Sequence, residues 1–418
     1  MLDVHLLRND PDVLRDALRR RGTSIDVDEL IRLDEALRST KTEAETVRAE
    51  QKDSGKRIAG LQGDEKQAAI DAASELSERY KMLSSRVDEI QERFDELWIA
   101  MPNLVDPTAA EGMTDKDNVE LKRVGDPVTG DVRDHGELGS LLGVIDTDRA
   151  TKVSGSRFGY LKGKAVLLEF ALVRFALEKL IGAGFTPVVP PVLVKEEALV
   201  GTGFFPEARE QVYSIPADEL FLVGTAEVPL AAYHMNEIFQ EGELPRRYVG
   251  FSTCFRREAG TYGKDTTGIF RVHQFDKVEM FVFTEPALSE EEHDRLLGLE
   301  ESIVQAFDVP YRVVNVAAGD LGAPAAKKYD IEAWFPGQQA YREITSCSNT
   351  TDFQARRLKV RQRTASGNRI LHTLNGTAVA VGRTILALLE NHQQPDGSVR
   401  IPDALQPYTG FDVIEPAD

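Results

Sequence analysis

Apolar residues recur at alternating steps of three and four along two stretches near the start of the chain. The first passes through Leu30, Leu33, Leu37, Thr40, Ala44 and Val47, and the second through Leu76, Tyr80, Leu83, Val87, Ile90, Phe94 and Leu97. Such spacing places a narrow apolar stripe along one face of a helix. The turn GLQG at 60–63 separates the two stretches. The pattern therefore predicts an antiparallel hairpin of two helices, each of about 30 residues and roughly 45 Å long.

The outer face of this hairpin carries charges of both signs. Several pairs, such as Asp34 and Arg38, have the i,i+4 spacing that supports exposed helices. A solvated face explains each charge taken singly. The seam is nevertheless too narrow for two helices alone to bury much apolar surface. A long exposed arm of this kind is typical of a segment that reaches a partner.

The hairpin pattern ends at Met101 and Pro102, and the next residues are polar with Pro, Gly and Asp. We therefore expect a helical arm at 1–102, a linker at 103–118 and a second domain at 119–418.

Short β-rich runs follow the linker: FGYLKG (158–163), FTPVVPPVLV (185–194), YVGFSTCF (248–255), VEMFVF (278–283) and YRVVNVA (311–317). Their hairpin-like spacing with interspersed helices, rather than regular βαβ alternation, predicts an antiparallel sheet flanked by helices and an α+β fold. Pro187, Pro190 and Pro191 restrict the second run to an edge strand or an interface strand. A plain sheet edge and a dimer contact fit this run equally well.

The amino-acid composition excludes several classes of function for this chain. The formal net charge of −19 over 418 residues argues against broad electrostatic binding of nucleic acid. Two cysteines, Cys254 and Cys347, provide neither a disulfide framework nor a zinc pattern. The N-terminus is charged throughout, and no apolar run of about 18 residues occurs. We expect a soluble, cytoplasmic protein that does not enter a membrane.

One basic loop stands out in this acidic chain, FRREAGTYGKDTTGIFRVHQF at 255–275. If the two ends of the loop continue the flanking strands, the alternation of side chains puts Arg256 and Glu258 on the same face of the first strand. It likewise puts Arg271, His273 and Phe275 on the same face of the second strand. A guanidinium for phosphate, a carboxylate for an amine and an aromatic ring for a base are the parts of an ATP site. A solvated hairpin tip is the alternative. We expect 261–267 to be a mobile tip.

Two other glycine-containing stretches fail as nucleotide motifs. GYLKGKA (159–165) has its first glycine one position late and an alanine where a phosphate loop needs Ser or Thr. GTGFFP (201–206) lacks the third glycine and the following helix of a dinucleotide fingerprint.

The order of a Pro-containing strand, an FRREAG loop ending in FRVHQF and a closing strand and helix with Gly382 and Arg383 resembles the three motifs of class II aminoacyl-tRNA synthetases. Within that class, TAE (225–227), FDKVEMFVF (275–283), EITSCSN (343–349) and HTLNGTAVAVGR (372–383) are similar to bacterial-type seryl-tRNA synthetases. The hairpin has the length and position of that family's arm. Ala378 stands where the third motif often has glycine, and a small residue suffices there. The resemblance covers essentially the whole chain.

This resemblance implies a coiled-coil arm followed by a class II catalytic domain, and a homodimer in the cytoplasm. It implies ATP-dependent activation of L-serine to seryl-adenylate, with Mg²⁺, and transfer of serine to the 3′-terminal adenosine of tRNA(Ser), which the arm binds. No covalent enzyme nucleophile is required, because positioning and charge stabilisation carry the reaction. Whether tRNA(Sec) is also a substrate stays open.

The site residues implied by the resemblance fall into four groups. The catalytic residues are Arg256, Glu258 and Arg383. The ATP site comprises Arg256, Arg257, Glu258, Arg271, Val272, Phe275, Glu343, Ile344, Thr345, Ser346 and Arg383. The serine site comprises Thr225, Ala226, Glu227, Glu279, Asn375 and Thr377, with Glu279 and Thr377 for the hydroxyl. The implied magnesium ligands are Glu343 and Ser346.

Two other functions compete with this interpretation. A synthetase-like paralogue could load a carrier protein, but we expect such a protein to lack the hairpin. A coiled-coil interaction protein could retain a decayed nucleotide-binding domain, but the intact set of Arg256, Glu258, Glu279, Glu343 and Arg383 argues against decay.

Overall fold

The computed structural model describes residues 1–130, 132–260 and 268–417. The chain forms two compact units, one of Met1–Arg19 and Thr23–Pro102 and the other of Arg20–Gly22 and Asn103–Asp418. Each helix in the part of the chain that the structure describes is either too short or too polar to span a lipid bilayer.

The first unit is built on the predicted helical hairpin. Its helices are α1 (Val4–Asn9), α2 (Pro11–Arg21), α3 (Val27–Ile58) and α4 (Gly63–Ala100). Polar contacts Glu29–Arg93 and Glu43–Arg79 bridge α3 and α4 in antiparallel register. Buried seam residues extend along α3 only as far as Val47, so apolar packing fades toward the turn.

Asp34 departs from the expected solvated face, because it is buried. Its carboxylate accepts hydrogen bonds from Arg8 at 2.7 and 2.9 Å and from Arg38 at 2.9 Å. These guanidinium contacts, Arg8 first, lower the pKa of Asp34. The ion pair between Arg8 and Asp34 therefore anchors α1 to α3.

The strands of the second unit are β1 (Val119–Val124), β2 (Ile145–Asp146), β3 (Tyr160–Leu161), β4 (Thr186–Val188), β5 (Leu193–Val194), β6 (Ser214–Ile215), β7 (Leu220–Leu222), β8 (Ile238–Phe239), β9 (Arg246–Phe255), β10 (Gln274–Thr284), β11 (Tyr311–Asn315), β12 (Lys327–Phe335), β13 (Ala340–Asn349), β14 (Arg361–Thr364), β15 (Gly367–Ile370), β16 (His372–Ala380), β17 (Val399–Arg400) and β18 (Val413–Ile414). The main sheet has eight strands in the order β1-β11-β12-β13-β16-β10-β9-β4. Its pairs are antiparallel except for β4 with β9. This confirms the α+β fold, and the proline-containing β4 lies at the edge.

Helices pack against both faces of this sheet, since Met280 and Phe281, which are neighbours on β10, belong to different hydrophobic clusters. They are α5 (His135–Leu141), α6 (Thr147–Ser154), α7 (Lys164–Gly182), α8 (Glu196–Thr202), α9 (Glu227–Ala232), α10 (Ser289–Ala306), α11 (Phe353–Leu358), α12 (Val381–Asn391) and α13 (Gln406–Thr409). The largest hydrophobic core joins the sheet to α7, α10 and α12 and includes Val278 and Met280 of β10. Since side chains alternate along a strand, Lys277 and Glu279 of β10 point to the opposite face.

Segment 103–118 belongs to the second unit. The side-chain amide of Asn103 donates to the carbonyls of Pro324 at 2.9 Å and Thr350 at 2.8 Å. Ala109 is buried in a small cluster with Val316 and Leu321.

Candidate active site

Two adjoining cavities open on the face of the sheet that the large core leaves uncovered. The first is lined by Arg256, Glu258, Ile269, Phe270, Arg271, Val272, Phe275, Lys277, Glu343, Ile344, Thr345, Ser346, Thr377, Ala380, Gly382 and Arg383. The second contains Thr225, Glu227, Glu279 and Asn375 in its wall. Five residues belong to both walls: Arg256, Lys277, Glu343, Ser346 and Thr377. Except for Arg257 and Ala226, the predicted ATP and serine residues therefore line two compartments with a common boundary.

Arginines surround the first cavity, each held by a specific contact. Arg256 donates from Nε to the carbonyl of Gly224 at 3.1 Å, and its guanidinium carbon lies 5.2 Å from the ring centre of Phe275. Arg271 pairs with Glu258 at 2.9 Å. Arg383 donates to the carbonyl of Glu343 at 2.9 Å. The cavity thus combines positive charge with an aromatic face, as a nucleotide triphosphate requires.

The backbone brings these residues together differently from the expected alternation. β9 ends at Phe255 and β10 begins at Gln274, so the loop residues between them are not on strands. Glu258 has a φ of +51°, which turns the chain out of the strand conformation. The prediction that strand alternation aligns Arg256 with Glu258, and Arg271 with His273 and Phe275, is therefore wrong in its mechanism.

His273 and Arg257 lie away from the cavity walls. The His273 ring packs against Phe158 with centroids 5.3 Å apart, and its Nδ1 lies 2.9 Å from the carbonyl of Arg256. Arg257 is exposed, with its guanidinium carbon 5.8 Å from the ring centre of Tyr213. The predicted mobile tip, 261–267, lies outside the described residues.

A β-bulge places Glu343 and Ser346 on one side of the sheet. In a regular strand, residues three apart point to opposite faces. Here the register passes from Ile331 opposite Thr345 to Glu332 opposite Glu343, which leaves Ile344 as the extra residue. Both side chains consequently reach the shared wall, while Ile344 joins the hydrophobic core as well as the lining of the first cavity.

Glu343 stays ionised at neutral pH. Desolvation by the surrounding walls acts to raise its pKa, but the positive charges of Arg383, Lys328 and Arg256 outweigh it and lower the pKa to about 2. An ionised carboxylate and the Ser346 hydroxyl are hard oxygen ligands. They fit Mg²⁺, which retains water and phosphate oxygens in its remaining positions. Among the residues that the structure describes, no group of three or more His, Cys, Asp or Glu could hold a metal.

A second bulge shapes the other compartment. The register passes from Val278 opposite Val379 to Glu279 opposite Thr377, so Ala378 is the extra residue. Thr377 thereby lies directly across from Glu279, and its hydroxyl donates to Glu279 at 3.4 Å. The small residue noted at 378 is 2% exposed at this irregular point.

Glu227 is held at the end of this compartment by amide donors. Its Oε1 accepts from Gln354 Nε2 at 2.8 Å and from Asn375 Nδ2 at 3.1 Å, and its backbone N–H donates to Thr225 Oγ1 at 3.1 Å. Burial, and then the negative charge of Glu279, raises the pKa of Glu227 to about 7. Ala226 differs from its neighbours, because its side chain packs into a hydrophobic cluster with Leu230.

Lys277 was missed by the sequence interpretation. It is buried, forms an ion pair with Glu279 and lies 3.5 Å from Thr377 Oγ1. The alternation of side chains along FDKVEMFVF puts Lys277 on the same face as Glu279, so the sequence pattern itself indicates that Lys277 faces the site. Phe270, Lys328 and Gln354 were also missed, since their positions depend on tertiary packing.

Family models match most of the chain. The model of the seryl-tRNA synthetase N-terminal domain matches residues 1–105, and the model of the tRNA synthetase class II core domain (G, H, P, S and T) matches residues 212–392.

Individual relatives match over the full length. A serine–tRNA ligase of Acidothermus cellulolyticus is 54% identical, with 100% of each chain covered. The crystal structure of seryl-tRNA synthetase from Pyrococcus horikoshii complexed with ATP superposes with a TM-score of 0.94 at 41% identity, and all of both chains is covered. The cytoplasmic serine–tRNA ligase of Naegleria fowleri in complex with AMP gives a TM-score of 0.89 at 34% identity, covering 100% of this chain and 99% of that one.

Proposed function

The chain belongs to the seryl-tRNA synthetase family, and we propose that it binds ATP in the first cavity and L-serine in the second. It activates serine to seryl-adenylate and then charges tRNA(Ser). The observation that carries this assignment of sites is the common wall of Arg256, Lys277, Glu343, Ser346 and Thr377. Activation requires the serine carboxylate to meet the α-phosphate, and two substrates held in these cavities meet at that wall.

In the first cavity, Phe275 supports the adenine and Glu258 contacts the adenine region. Arg256 contacts the α-phosphate, while Arg271 and Arg383 contact the terminal phosphates. Glu343 and Ser346 would hold Mg²⁺, which would neutralise phosphate charge when bound.

In the second cavity, Thr225 and Glu227 receive the ammonium group of serine, and Glu279 and Thr377 receive its hydroxyl. Because these polar groups are buried, a substrate without the hydroxyl leaves them unpaired. Such a site rejects that substrate by roughly 10⁴- to 10⁵-fold in favourable cases. Asn375 fixes the orientation of Glu227 through its 3.1 Å hydrogen bond.

The reaction proceeds in two balanced steps. A serine carboxylate oxygen attacks the α-phosphorus, and the bond to the bridging oxygen breaks, so that pyrophosphate leaves with the electron pair. A ribose hydroxyl of the terminal adenosine then attacks the seryl carbonyl and gives up its proton. The bond between the carbonyl carbon and the phosphate oxygen breaks, and AMP leaves with the electron pair. The second cavity has a volume of about 570 Å³, on the order of twenty water volumes, and accommodates more than serine.

We further propose that the arm at 1–102 binds tRNA(Ser), that 103–118 connects it to the catalytic domain at 119–418, and that the protein is cytoplasmic. The exposed basic residues near the hairpin turn include Lys52, Lys56 and Arg57. They supply local positive charge for a polyanion in a chain of negative net charge. tRNA(Sec) is a second candidate substrate, because the same arm would meet it.

The protein acts as a homodimer in this proposal. On α7, Leu167, Phe170 and Ile181 are apolar yet at least 49% exposed, and their spacing places them on one helix face. Val189, directly after edge strand β4, is 85% exposed. The exposed ion pair Arg174–Glu178 lies on the same helix face, between Phe170 and Ile181. Exposed apolar side chains grouped in this way are typical of interfaces.

Amino-acid-dependent exchange of pyrophosphate into ATP tests the assignment. We expect exchange with serine and much less with threonine, alanine or glycine. A chain that shows no serine-dependent exchange does not have the proposed function.

A further inference from the structure

Lys277 occupies the boundary between the two cavities. Its side chain is 9% exposed, and its Nζ forms an ion pair with the carboxylate of Glu279, which is 2% exposed. The same Nζ lies 3.5 Å from Thr377 Oγ1, which in turn donates to Glu279 Oε2 at 3.4 Å. Among the described residues that line both cavities, the cationic side chains are Arg256 and Lys277.

The negative charge of the second cavity creates a problem for a substrate carboxylate. Glu227, Glu279 and Glu343 all line this cavity. An incoming carboxylate is repelled by these groups unless a cation receives it, and low-dielectric walls strengthen the repulsion. Bound serine therefore needs a positive side chain on the side where it meets the phosphate.

The Arg256 side chain already contacts other groups. Its Nε donates to the carbonyl of Gly224 at 3.1 Å, and its guanidinium lies over Phe275 in the first cavity. Lys328, a third cation in the second wall, lies 3.1 Å from Asp330. Lys277 differs from both, because its partner Glu279 is itself the group that serine is to contact.

We propose that Lys277 is a further catalytic residue, which transfers its contact from Glu279 to the serine carboxylate when serine binds. The proposal rests on the assignment of the cavities to ATP and serine. The serine hydroxyl then donates to Glu279 beside the Thr377 hydroxyl, which takes over the contact of Lys277, so the lysine ammonium is released to the carboxylate. As the carboxylate oxygen forms its bond to the α-phosphorus and pyrophosphate departs, Lys277 keeps its contact with the carboxylate and stabilises the negative charge at the boundary.

The test compares serine with serinol, which has the ammonium and hydroxyl groups but no carboxylate. Binding of each is measured by isothermal titration to the full-length wild type and to Lys277→Met. The proposal predicts that Lys277→Met weakens serine binding by roughly ten- to a hundredfold, the range of a lost charged hydrogen bond. Serinol binding should change little, so the preference of the wild type for serine over serinol collapses.

Two variants control this comparison. Lys277→Arg keeps the charge and should retain most of the preference for serine. Thr377→Val, which removes the hydroxyl contact, should weaken serine and serinol alike. If Lys277→Met does not fold, Lys277→Gln carries the same test, because its amide can still donate to Glu279.

An equal loss of serine and serinol binding in the neutral variants overturns the proposal, since it indicates a structural role for Lys277. An unchanged preference for serine also overturns it. Absence of serine-dependent exchange in the wild type is a different result, which refutes the proposed function itself.

Discussion

Glu343 and Ser346 line the same two cavities although they are three residues apart on β13. The extra residue at Ile344 reverses the alternation between them. The bulge therefore builds a pair of oxygen ligands that a regular strand would separate.

Replacing Glu343 tests this pair as a magnesium site. In Glu343→Gln, the loss of the ionised ligand should raise the Mg²⁺ concentration needed for half-maximal exchange by at least about tenfold. A titration of exchange activity with MgCl₂ measures the shift. Glu285→Gln is a matched control, because Glu285 is also paired with an arginine, Arg369, but lies outside both cavities. An equal magnesium requirement in the two variants would contradict the assignment.

The pKa of Glu227, raised to about 7 by burial and by Glu279, predicts a pH dependence of serine use. Below pH 7 the carboxyl is protonated and loses its attraction for the serine ammonium. We therefore expect kcat/KM for serine to fall about tenfold per pH unit below 7 and to level off above it. Exchange assays between pH 5.5 and 8.5 at saturating ATP measure this profile.

Glu227→Gln should lower kcat/KM at pH 8 and remove the step near pH 7. A variant that retains the same step would show that another group titrates. The effect of pH on folding stability has the opposite direction. Because the raised pKa means that the folded protein favours the neutral carboxyl, the contribution of Glu227 to folding stability is lost as the pH rises through about 7.

The sequence alone predicted the elements with strong periodicity. The apolar stripes of α3 and α4 repeat over many turns, and β9 and β10 carry clear apolar runs. The two bulges could not be predicted, because each depends on the register of a neighbouring strand. The burial of Asp34 also depends on tertiary structure, since Arg8 comes from a different helix.

Charge reversal near the hairpin turn tests the tRNA-binding role of the arm. Lys52→Glu combined with Arg57→Glu should lower kcat/KM for charging of tRNA(Ser) by about tenfold or more and reduce its salt dependence, because phosphate contacts are lost. Serine-dependent exchange should be unchanged. Lys359→Glu with Arg363→Glu makes the same change in net charge at exposed positions of the second unit. If both double variants impair charging equally, the effect comes from net charge and not from the arm.

A polar substitution on α7 tests the dimer. Phe170 is 60% exposed on the helix face that also carries Leu167 and Ile181, and burying a charge there in a dimer is costly. Phe170→Asp should therefore shift the protein from dimer to monomer, as measured by light scattering coupled to size-exclusion chromatography. Met82→Asp is the matched control, because Met82 is 67% exposed on α4 and is not on this face. It should leave the dimer intact, since an isolated apolar side chain on the arm contributes nothing to an interface at α7. A wild-type protein that runs as a monomer at micromolar concentration would refute the dimer, whereas a dimeric Phe170→Asp variant would place the interface on another surface.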